Sequence, residues 1–476
     1  TAANNVTNIT GNSFTNLAVT AYGLSLVDAS EVMGSNAIRT IDSNKTVGTF
    51  NFTGSQFVMI GTGFGNGLRT TIIYNEFSDA VLVLPDDNLS IAAAIGCTNS
   101  AVEMRIEHNR ISNVTQTRAN FYAIGYDYSF AALTDTAIVS NNSISNITVN
   151  GIGNYGIFST AANNSKPVLI SNNSIKNLSL SRATDTTETF VTGIELYSYS
   201  SQKGVIVKSN EISSLSSSID SSIVSGVLIY NFNTFSSAHS HTINANKIYD
   251  LAVTKPGARV AGIYSYLYEP QSLFLVGARR VSIYNNIVGD LRAPAAGSIS
   301  RPSIAGISIE NNRVKDTINI YHNTIDLRAS SSHPAFPSAA VFTDTLARIN
   351  SYGNIFNNIS TPGATGKTVA YWRRDKSLTS FTGDYNSLYA GTPAANRLIY
   401  FDGTNSDQTL PAYKTRVGVT REVSSVTELP VYISLIGSNA GFLHLDPGVN
   451  CGLLGKAIND AGILDVNADF DNDIRP

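Results

Sequence analysis

The chain has 476 residues, of which 14% are charged, and its formal net charge is −3. This length exceeds one ordinary compact core, so we expect several domains or a repeat that grows in one dimension. The weak charge argues against nucleic-acid binding, and no run of about 18 apolar residues predicts a membrane span. Because the chain begins at Thr1 without an initiator Met or a signal-like stretch, we expect a processed or excised soluble piece.

One short motif, Asn-x-[Ile/Phe/Val/Leu], recurs along the chain. It first appears at Asn12, and the long gap that follows predicts a degenerate coil that turns at Asn44. From there the motif returns every 31 to 40 residues and ends in a weak copy at Asn386. The clear copies begin at Asn75, Asn109, Asn142, Asn173, Asn210, Asn246, Asn286, Asn323 and Asn354.

Each copy of the motif follows a short stretch of alternating apolar residues, such as Val168-Leu-Ile170, which is strand periodicity. A second landmark, Gly followed by Ile or Val, comes 14 to 20 residues after most of the leading Asn residues, as at Gly193-Ile194 and Gly262-Ile263. Each repeat therefore predicts strand, turn, strand and a loop of variable length.

A single coil of this kind cannot bury its own apolar side chains, but stacked coils bury them continuously. Asn suits the turn because it tolerates left-handed backbone and because its amide can hydrogen-bond to the Asn one coil away. We therefore predict an all-β parallel β-helix of about 11–12 coils with a structural Asn ladder. Coils are expected over residues 1–390, and an irregular C-terminal coil or cap over residues 391–476.

These features resemble the pectin-lyase-like superfamily of right-handed parallel β-helices, in which an asparagine ladder also occurs. The C-terminal region is similar to the closing segment of secreted bacterial β-helix surface proteins. The matching stretches are Asp384-Tyr-Asn-Ser-Leu388, Leu410-Pro-Ala-Tyr-Lys414, Phe442-Leu-His-Leu445 and Asp469-Phe-Asp-Asn-Asp-Ile-Arg-Pro476. Those relatives usually continue past Arg-Pro, so the resemblance implies a fragment of a longer extracellular protein.

Polysaccharide lyases and glycoside hydrolases also use this fold, so the resemblance implies an enzyme of these classes as an alternative. The hydrolase phrases Asn-Thr-Asp, Gly-His-Gly and Arg-Ile-Lys are absent from the sequence. The pair Asp86-Asp87 is typical of a turn, and Asp407-Gln-Thr-Leu410 is similar to an esterase phrase without its companions. We therefore predict a non-enzymatic extracellular bacterial surface protein of the adhesin or filament type, which binds glycans, surfaces or like subunits. The alternative is a polysaccharide lyase or glycoside hydrolase.

Basic and histidine clusters give little support to catalysis. Arg373-Arg374-Asp375-Lys376 could bind an anionic sugar, but a solvated loop is the favoured interpretation. His239-Ser-His241 lacks a third metal ligand, and His444 is interpreted as structural. A cleft that combined acidic residues with Arg373 or Lys376 would favour the enzyme.

An outward aromatic ladder is the first predicted binding feature. Alignment of the coils on the Gly-Ile landmark places Ile194, Val227 and Ile263 inward, and alternation then places two columns of rings outward. These columns either stack under a covering loop or form a platform for sugar rings or a partner protein. Their members are Tyr197, Tyr230 and Tyr266, followed by Tyr199, Phe232 and Tyr268.

Near the end of the chain, oxygen-bearing side chains alternate in a pattern that resembles half of a Ca²⁺ loop. They are Asp465, Asn467, Asp469, Asp471 and Asp473. The alternative interpretation is an Asp-rich turn that caps the solenoid. Ca²⁺ is the only cofactor that the sequence suggests. The two cysteines, Cys97 and Cys451, lie far apart in sequence and are predicted to be buried free thiols.

Overall fold

A computed structural model describes most of the chain. The described residues are 6–19, 23–28, 37–52, 54, 56–62, 68–84, 91–97, 103–118, 120–127, 136–160, 167–181, 188–197, 204–231, 240–267, 278–298, 300–311, 314–449, 453, 466 and 468–473. The chain divides into two compact units. The first contains residues 1–222, 227–241 and 269–277, and the second contains residues 223–226, 242–268 and 278–476.

The first unit is a parallel β-solenoid built from three sheets, here called A, B and C. Sheet A contains β1 (Val6–Thr10), β4 (Ile38–Asp42), β7 (Arg69–Ile73), β10 (Glu103–Glu107), β13 (Thr136–Ser140), β16 (Val168–Ser171) and β19 (Val205–Lys208). Sheet B contains β2 (Ser13–Val19), β5 (Lys45–Phe52), β8 (Glu76–Val83), β11 (Arg110–Gln116), β14 (Ser143–Val149), β17 (Ser174–Leu180) and β20 (Glu211–Ser217). Sheet C contains β3 (Gly23–Asp28), β6 (Gln56–Thr62), β9 (Ile91–Cys97), β12 (Asn120–Asp127), β15 (Gly153–Thr160) and β18 (Thr189–Tyr197).

The second unit repeats this architecture. Its sheet A contains β25 (Arg280–Tyr284), β28 (Thr317–Tyr321), β31 (Arg348–Tyr352) and β34 (Phe381–Asp384). Its sheet B contains β23 (Lys247–Val253), β26 (Ile287–Arg292), β29 (Thr324–Leu327), β32 (Ile355–Asn358) and β35 (Ser387–Tyr389). Its sheet C contains β24 (Arg259–Leu267), β27 (Ile304–Asn311), β30 (Ser338–Thr345), β33 (Thr368–Arg373) and β36 (Arg397–Phe401). Two more strands, β21 (Ser222–Asn231) and β22 (Ser240–Asn244), contain residues of both units.

Within each unit, the strands of these three sheets pair in parallel with the strand one coil away, as β14 does with β17 and β24 with β27, so equivalent residues stack. In the first unit Ile111, Ile144 and Ile175 are register partners on β11, β14 and β17, and each is at most 1% exposed. Alternation of side chains along a strand places one set of residues inside and the next outside. The predicted all-β parallel solenoid is therefore confirmed.

The Asn ladder is also confirmed in both units. In the first unit, the backbone N–H and the side-chain amide of Asn75 both donate to Oδ1 of Asn109, each at 3.0 Å. The same pair of bonds joins Asn44 to Asn75, at 3.0 and 2.9 Å, so the degenerate coil predicted at Asn44 is present. In the second unit Asn286 donates to Asn323 in the same manner.

The left-handed backbone predicted for the ladder Asn lies instead on the residue before it. Tyr74, His108 and Ala245, for example, have φ of 53°, 56° and 52°. A second left-handed position falls four residues after the ladder Asn, as at Asn113 and Asn146. There the side chains form a shorter exposed ladder, in which the Asn146 amide donates to Oδ1 of Asn113 at 2.9 Å. The motif thus marks two turns rather than one.

The second unit ends in a cap that closes its ladder. After β36 the chain forms a short antiparallel strand, β37 (Ser406–Asp407), and one helix, α1 (Leu410–Val417). Thr409 caps the helix start by accepting from the Ala412 N–H, and Gly418 ends it. The last ladder residue, Asn386, donates its backbone N–H to Ser425 Oγ at 2.9 Å. Its side-chain amide donates to the carboxylate of Glu422 at 3.2 Å.

Candidate functional site

A cleft of about 580 Å³ lies at the ends of the sheet C strands in the second unit. Charged groups of both signs and one aromatic ring dominate its lining. The lining residues are Tyr266, Leu267, Arg301, Glu310, Asn311, Asp344, Thr345, Leu346, Arg374, Asp375 and Lys376. We call it the sheet C cleft.

Strand register assembles the floor of the sheet C cleft. Tyr266 on β24 pairs with Glu310 on β27, which pairs with Asp344 on β30, so the three side chains form one column. In the next coil Arg374 follows β33, and its backbone N–H donates to the Thr343 carbonyl at 2.8 Å. Neighbouring members of the column are one strand spacing apart, about 4.8 Å.

Arginine side chains neutralise both carboxylates of the column. Glu310 is 6% exposed and accepts from Arg301 at 2.6 Å through one oxygen and from Arg259 at 3.4 Å through the other. Asp344 pairs with Arg374 at 2.8 Å, but this pair is more exposed and contributes less. The Glu310 group is therefore a preorganised hydrogen-bonding centre on the cleft floor.

The far wall of the cleft carries the remaining charges. The Lys376 ammonium donates to Thr404 Oγ1 at 2.9 Å. The Asp375 carboxylate accepts from the Ser377 N–H at 2.9 Å and from Ser380 Oγ at 2.5 Å, which fixes the turn that presents Lys376. Three cationic and three anionic side chains thus line the cleft.

Beneath the wall of the cleft lies a buried ion pair. Arg279 and Asp316 are 2% and 0% exposed, and their side chains approach to 2.7 Å. Asp316 also accepts from the Asn311 amide at 2.9 Å, and Asn311 lines the cleft. The ion pair therefore holds one wall residue in place.

Part of the predicted aromatic ladder is described. In the first unit the rings of Tyr197 and Tyr230 stack at 5.5 Å with an angle of 16° between their planes, and Phe158 continues the stack on Tyr197 at 5.9 Å. Tyr266, in the second unit, lies in the sheet C cleft, with Tyr264 as its neighbour at 6.1 Å. The second predicted column, Tyr199, Phe232 and Tyr268, lies outside the described residues.

A buried carboxylate accompanies the rings of the first unit. Glu195 pairs in register with Phe158 and is 5% exposed. Burial raises its pKa to about 8, and its Oε2 atom has no hydrogen-bond partner among the described residues. Tyr155 is close enough that the Glu195 charge adds to burial in raising the Tyr155 pKa.

The interpretation of residues 373–376 as a solvated loop is wrong for its first member. Arg373 is 2% exposed and lies at the end of β33, with its guanidinium 4.5 Å from the centre of the Phe381 ring. It ends a strand whose residues are all buried. Because side chains alternate between the two faces of a strand, Arg373 points inward and the next residue, Arg374, points outward. Arg374 and Lys376 are exposed and belong to the cleft.

Other predicted groups have structural partners or lie outside the described residues. Asp407 is held by Arg416 through two bonds of 2.5 and 2.8 Å. Cys97 is a buried free thiol. Four further predicted residues lie outside the described residues, namely Asp86, Asp87, His239 and Cys451.

The proposed Ca²⁺ loop is described only in part, because Asp465 and Asn467 lie outside the described residues. Asp469 Oδ1 accepts from the backbone N–H groups of Asp471 and Asp473 at 3.0 and 2.9 Å, which is the bonding of a turn. Across the described part of the chain, no group of three or more His, Cys, Asp or Glu residues could hold a metal ion. Ca²⁺ binding stays a prediction, and a calorimetric titration tests it.

Sequence reasoning missed Glu310, Asp344 and Arg301. The signal for Glu310 was available, because it follows Gly306-Ile307 at the same offset that Tyr266 has from Gly262-Ile263. Comparisons with family models, with curated proteins and with solved structures find no match. Within the residues that the structure describes, no helix has the length and apolar character needed to cross a membrane.

Proposed function

We propose that the chain is a non-enzymatic, glycan-binding β-solenoid and that its sheet C cleft is the binding site. The observation that carries this proposal is the column Tyr266, Glu310 and Asp344, which places an aromatic ring and two Arg-paired carboxylates on consecutive strands of one cleft. An exposed ring face packs against the apolar face of a sugar ring, and carboxylate–guanidinium pairs bond to neighbouring hydroxyl groups.

The regular spacing of the column residues along the cleft also suits an elongated ligand. Adjacent positions of the column differ by about 4.8 Å, which is similar to the advance of one sugar residue along an extended glycan. Lys376 lies on the wall with a hydroxyl partner and no carboxylate ion pair among the described residues, so it can contact a sugar carboxylate. The ligand we propose is therefore a linear glycan, with uronate-containing chains preferred.

The test is glycan-array screening followed by calorimetry with the best ligand. Tyr266→Ala should weaken binding by about 30-fold, since an aromatic anchor commonly contributes about 2 kcal/mol. Tyr74→Ala is the matched control, because Tyr74 is an exposed ring elsewhere that stacks on His108. Equal affinities of Tyr266→Ala and Tyr74→Ala would overturn the proposed site.

A lyase or hydrolase is the second function, and the combination of Glu310, Asp344, Arg374 and Lys376 in one cleft favours it. Hydrolysis needs one carboxylic acid that donates a proton and a second carboxylate across the bond. Glu310 instead has one oxygen on each of two guanidinium groups, which suits binding better. Release of unsaturated or reducing sugar ends from uronate polymers, lost in Glu310→Gln, would establish the enzyme.

We further propose that the protein works outside a bacterial cell, as part of an adhesin or filament, and that it belongs to the pectin-lyase-like β-helices. The confirmed Asn ladder supports the latter proposal. Immunogold labelling of intact cells tests the location, and a protein found only in the cytoplasmic fraction would contradict it.

A further inference from the structure

A second polar cluster lies inside the second unit, beneath the cap. Arg373 pairs in register with Thr343, and both side chains are buried, at 2% and 0% exposure. Tyr371, two residues before Arg373 on the same strand, is 0% exposed and packs on the inward rings of Phe356 and Phe381. The α1 helix adds Tyr413, also 0% exposed. We call these four residues the Arg373 cluster.

Several polar atoms of the Arg373 cluster are buried and unpartnered among the described residues. Nε and Nη1 of Arg373 and the phenol oxygen of Tyr413 are buried and have no hydrogen-bond partner within the part of the chain that the structure describes, while the Tyr371 and Thr343 hydroxyl groups interact with each other. Strand register and ring stacking place the two phenols close to Arg373, because Tyr371 pairs with Tyr400 on β36 and the Tyr400 ring stacks on Tyr413 at 4.7 Å. Unpaired buried donors are rare and point to a bound species.

The charge of Arg373 is also unbalanced. No described carboxylate forms an ion pair with it, and its identified polar neighbour is the Tyr400 phenol. Glu422, a buried acid whose charge acts on the Tyr371 and Tyr413 phenols, accepts instead from Asn386 and Ser425 at the end of the ladder. Burial raises the pKa of Glu422 to about 7, so it is only partly ionised near neutrality. An isolated buried cation is strongly unfavourable unless a negative charge compensates it.

We propose that the Arg373 cluster binds one small inorganic anion, of which chloride is the example, inside the solenoid. The guanidinium supplies the charge and two N–H donors, and Tyr413 supplies an O–H donor. A buried water would satisfy some of these donors, but it would leave the cation uncompensated. Because Tyr413 belongs to α1, the anion joins the cap helix to the last strands of sheet C.

The experiment uses the full chain and compares sodium chloride with sodium gluconate at constant ionic strength. Since an anion that binds only the native state stabilises it, Tm should rise with chloride concentration in the wild type. Arg373→Met should abolish this rise. Tyr413→Phe keeps the ring and removes one donor, so it should reduce the apparent chloride affinity several-fold. Tyr432→Phe is the matched control, because it removes a phenol outside the cluster that has no hydrogen-bond partner in the described ranges, and it should respond like the wild type.

Crystals soaked in sodium bromide provide a test that does not depend on the variants folding. An anomalous peak in contact with the Arg373 guanidinium is the expected result. A Tm that does not depend on chloride in the wild type, an equal chloride response in Tyr413→Phe and Tyr432→Phe, or water alone at Arg373 would each overturn the proposal. Glycan binding at the sheet C cleft is measured separately, so either proposal can fail without the other.

Discussion

Removal of one interior ladder side chain, in Asn142→Ala, should destabilise the first unit by about 3–4 kcal/mol. Asn142 is 2% exposed, and its Oδ1 accepts from both the backbone N–H and the side-chain amide of Asn109 at 3.0 Å. Its own amide donates to Asn173 Oδ1 and to the Ile106 carbonyl at 3.0 and 2.9 Å. A buried N–H without a partner costs about 1–3 kcal/mol, and the three other lost bonds add about 0.5–1.5 kcal/mol each where they are not replaced.

The assay is native-state hydrogen exchange, read at the Asn109 amide, together with urea unfolding followed by circular dichroism. Exchange is the better measure because a solenoid can open locally, coil by coil. Asn51→Ala, an exposed Asn on β5 of the same unit, is the control. If the free energies of unfolding of Asn142→Ala and Asn51→Ala agree to within about 1 kcal/mol, the ladder bonds do not stabilise the coils.

Three further predictions follow from buried groups. Burial raises the pKa of Glu422 from 4.5 to about 7, so the native state retains a proton that the unfolded chain releases, and the Glu422 contribution to stability falls as pH rises through this range. Glu422→Gln should flatten that part of the pH profile of urea midpoints, and an unchanged profile would contradict it. Asp316→Asn removes the negative charge that faces the buried Arg279 guanidinium and should lower the free energy of unfolding by about 3–5 kcal/mol, measured by urea titration against Asp473→Asn, an exposed control in the same unit. The pKa of the buried Cys97 thiol is raised to about 12, so in a Cys451→Ser background it should resist thiol reagents at about pH 8 until denaturant is added; rapid labelling of the native protein would refute this.

The stacking of coils could be predicted from the sequence because one short motif fixes the register of each turn. The ladder from Asn75 to Asn109 follows directly from the repeat. The left-handed residue before each ladder Asn could not be identified, since Tyr74, His108 and Ala245 share no side-chain property. The backbone bend is imposed there by the inward placement of the following Asn, and tertiary context overrides local preference.

The sheet C cleft was less predictable, because its polar groups come from loops and from different coils. Alignment on the Gly-Ile landmark places Glu310 beside Tyr266, but the partners of Glu310 have no fixed offset. Arg301 precedes it by nine residues in a loop, and Arg259 lies 51 residues earlier on β24. Periodicity in the sequence predicts which face of a strand a residue occupies. It does not predict which loop side chains reach a site, because loops have no regular repeat.

The column of the sheet C cleft departs from the repeat in a manner that favours a binding role. A ladder of Asn amides carries no charge, and each amide hydrogen-bonds to the next. In contrast, two ionised carboxylates one strand spacing apart, about 4.8 Å, repel each other by about 3 kcal/mol at an effective dielectric constant of about 20. Glu310 and Asp344 are such neighbours, and the structure compensates them with guanidinium groups from three other positions, Arg259, Arg301 and Arg374. Apolar or amide side chains would stack there without this compensation. The charged network in this open cleft, beside a tyrosine ring, therefore supports the proposal of a glycan site.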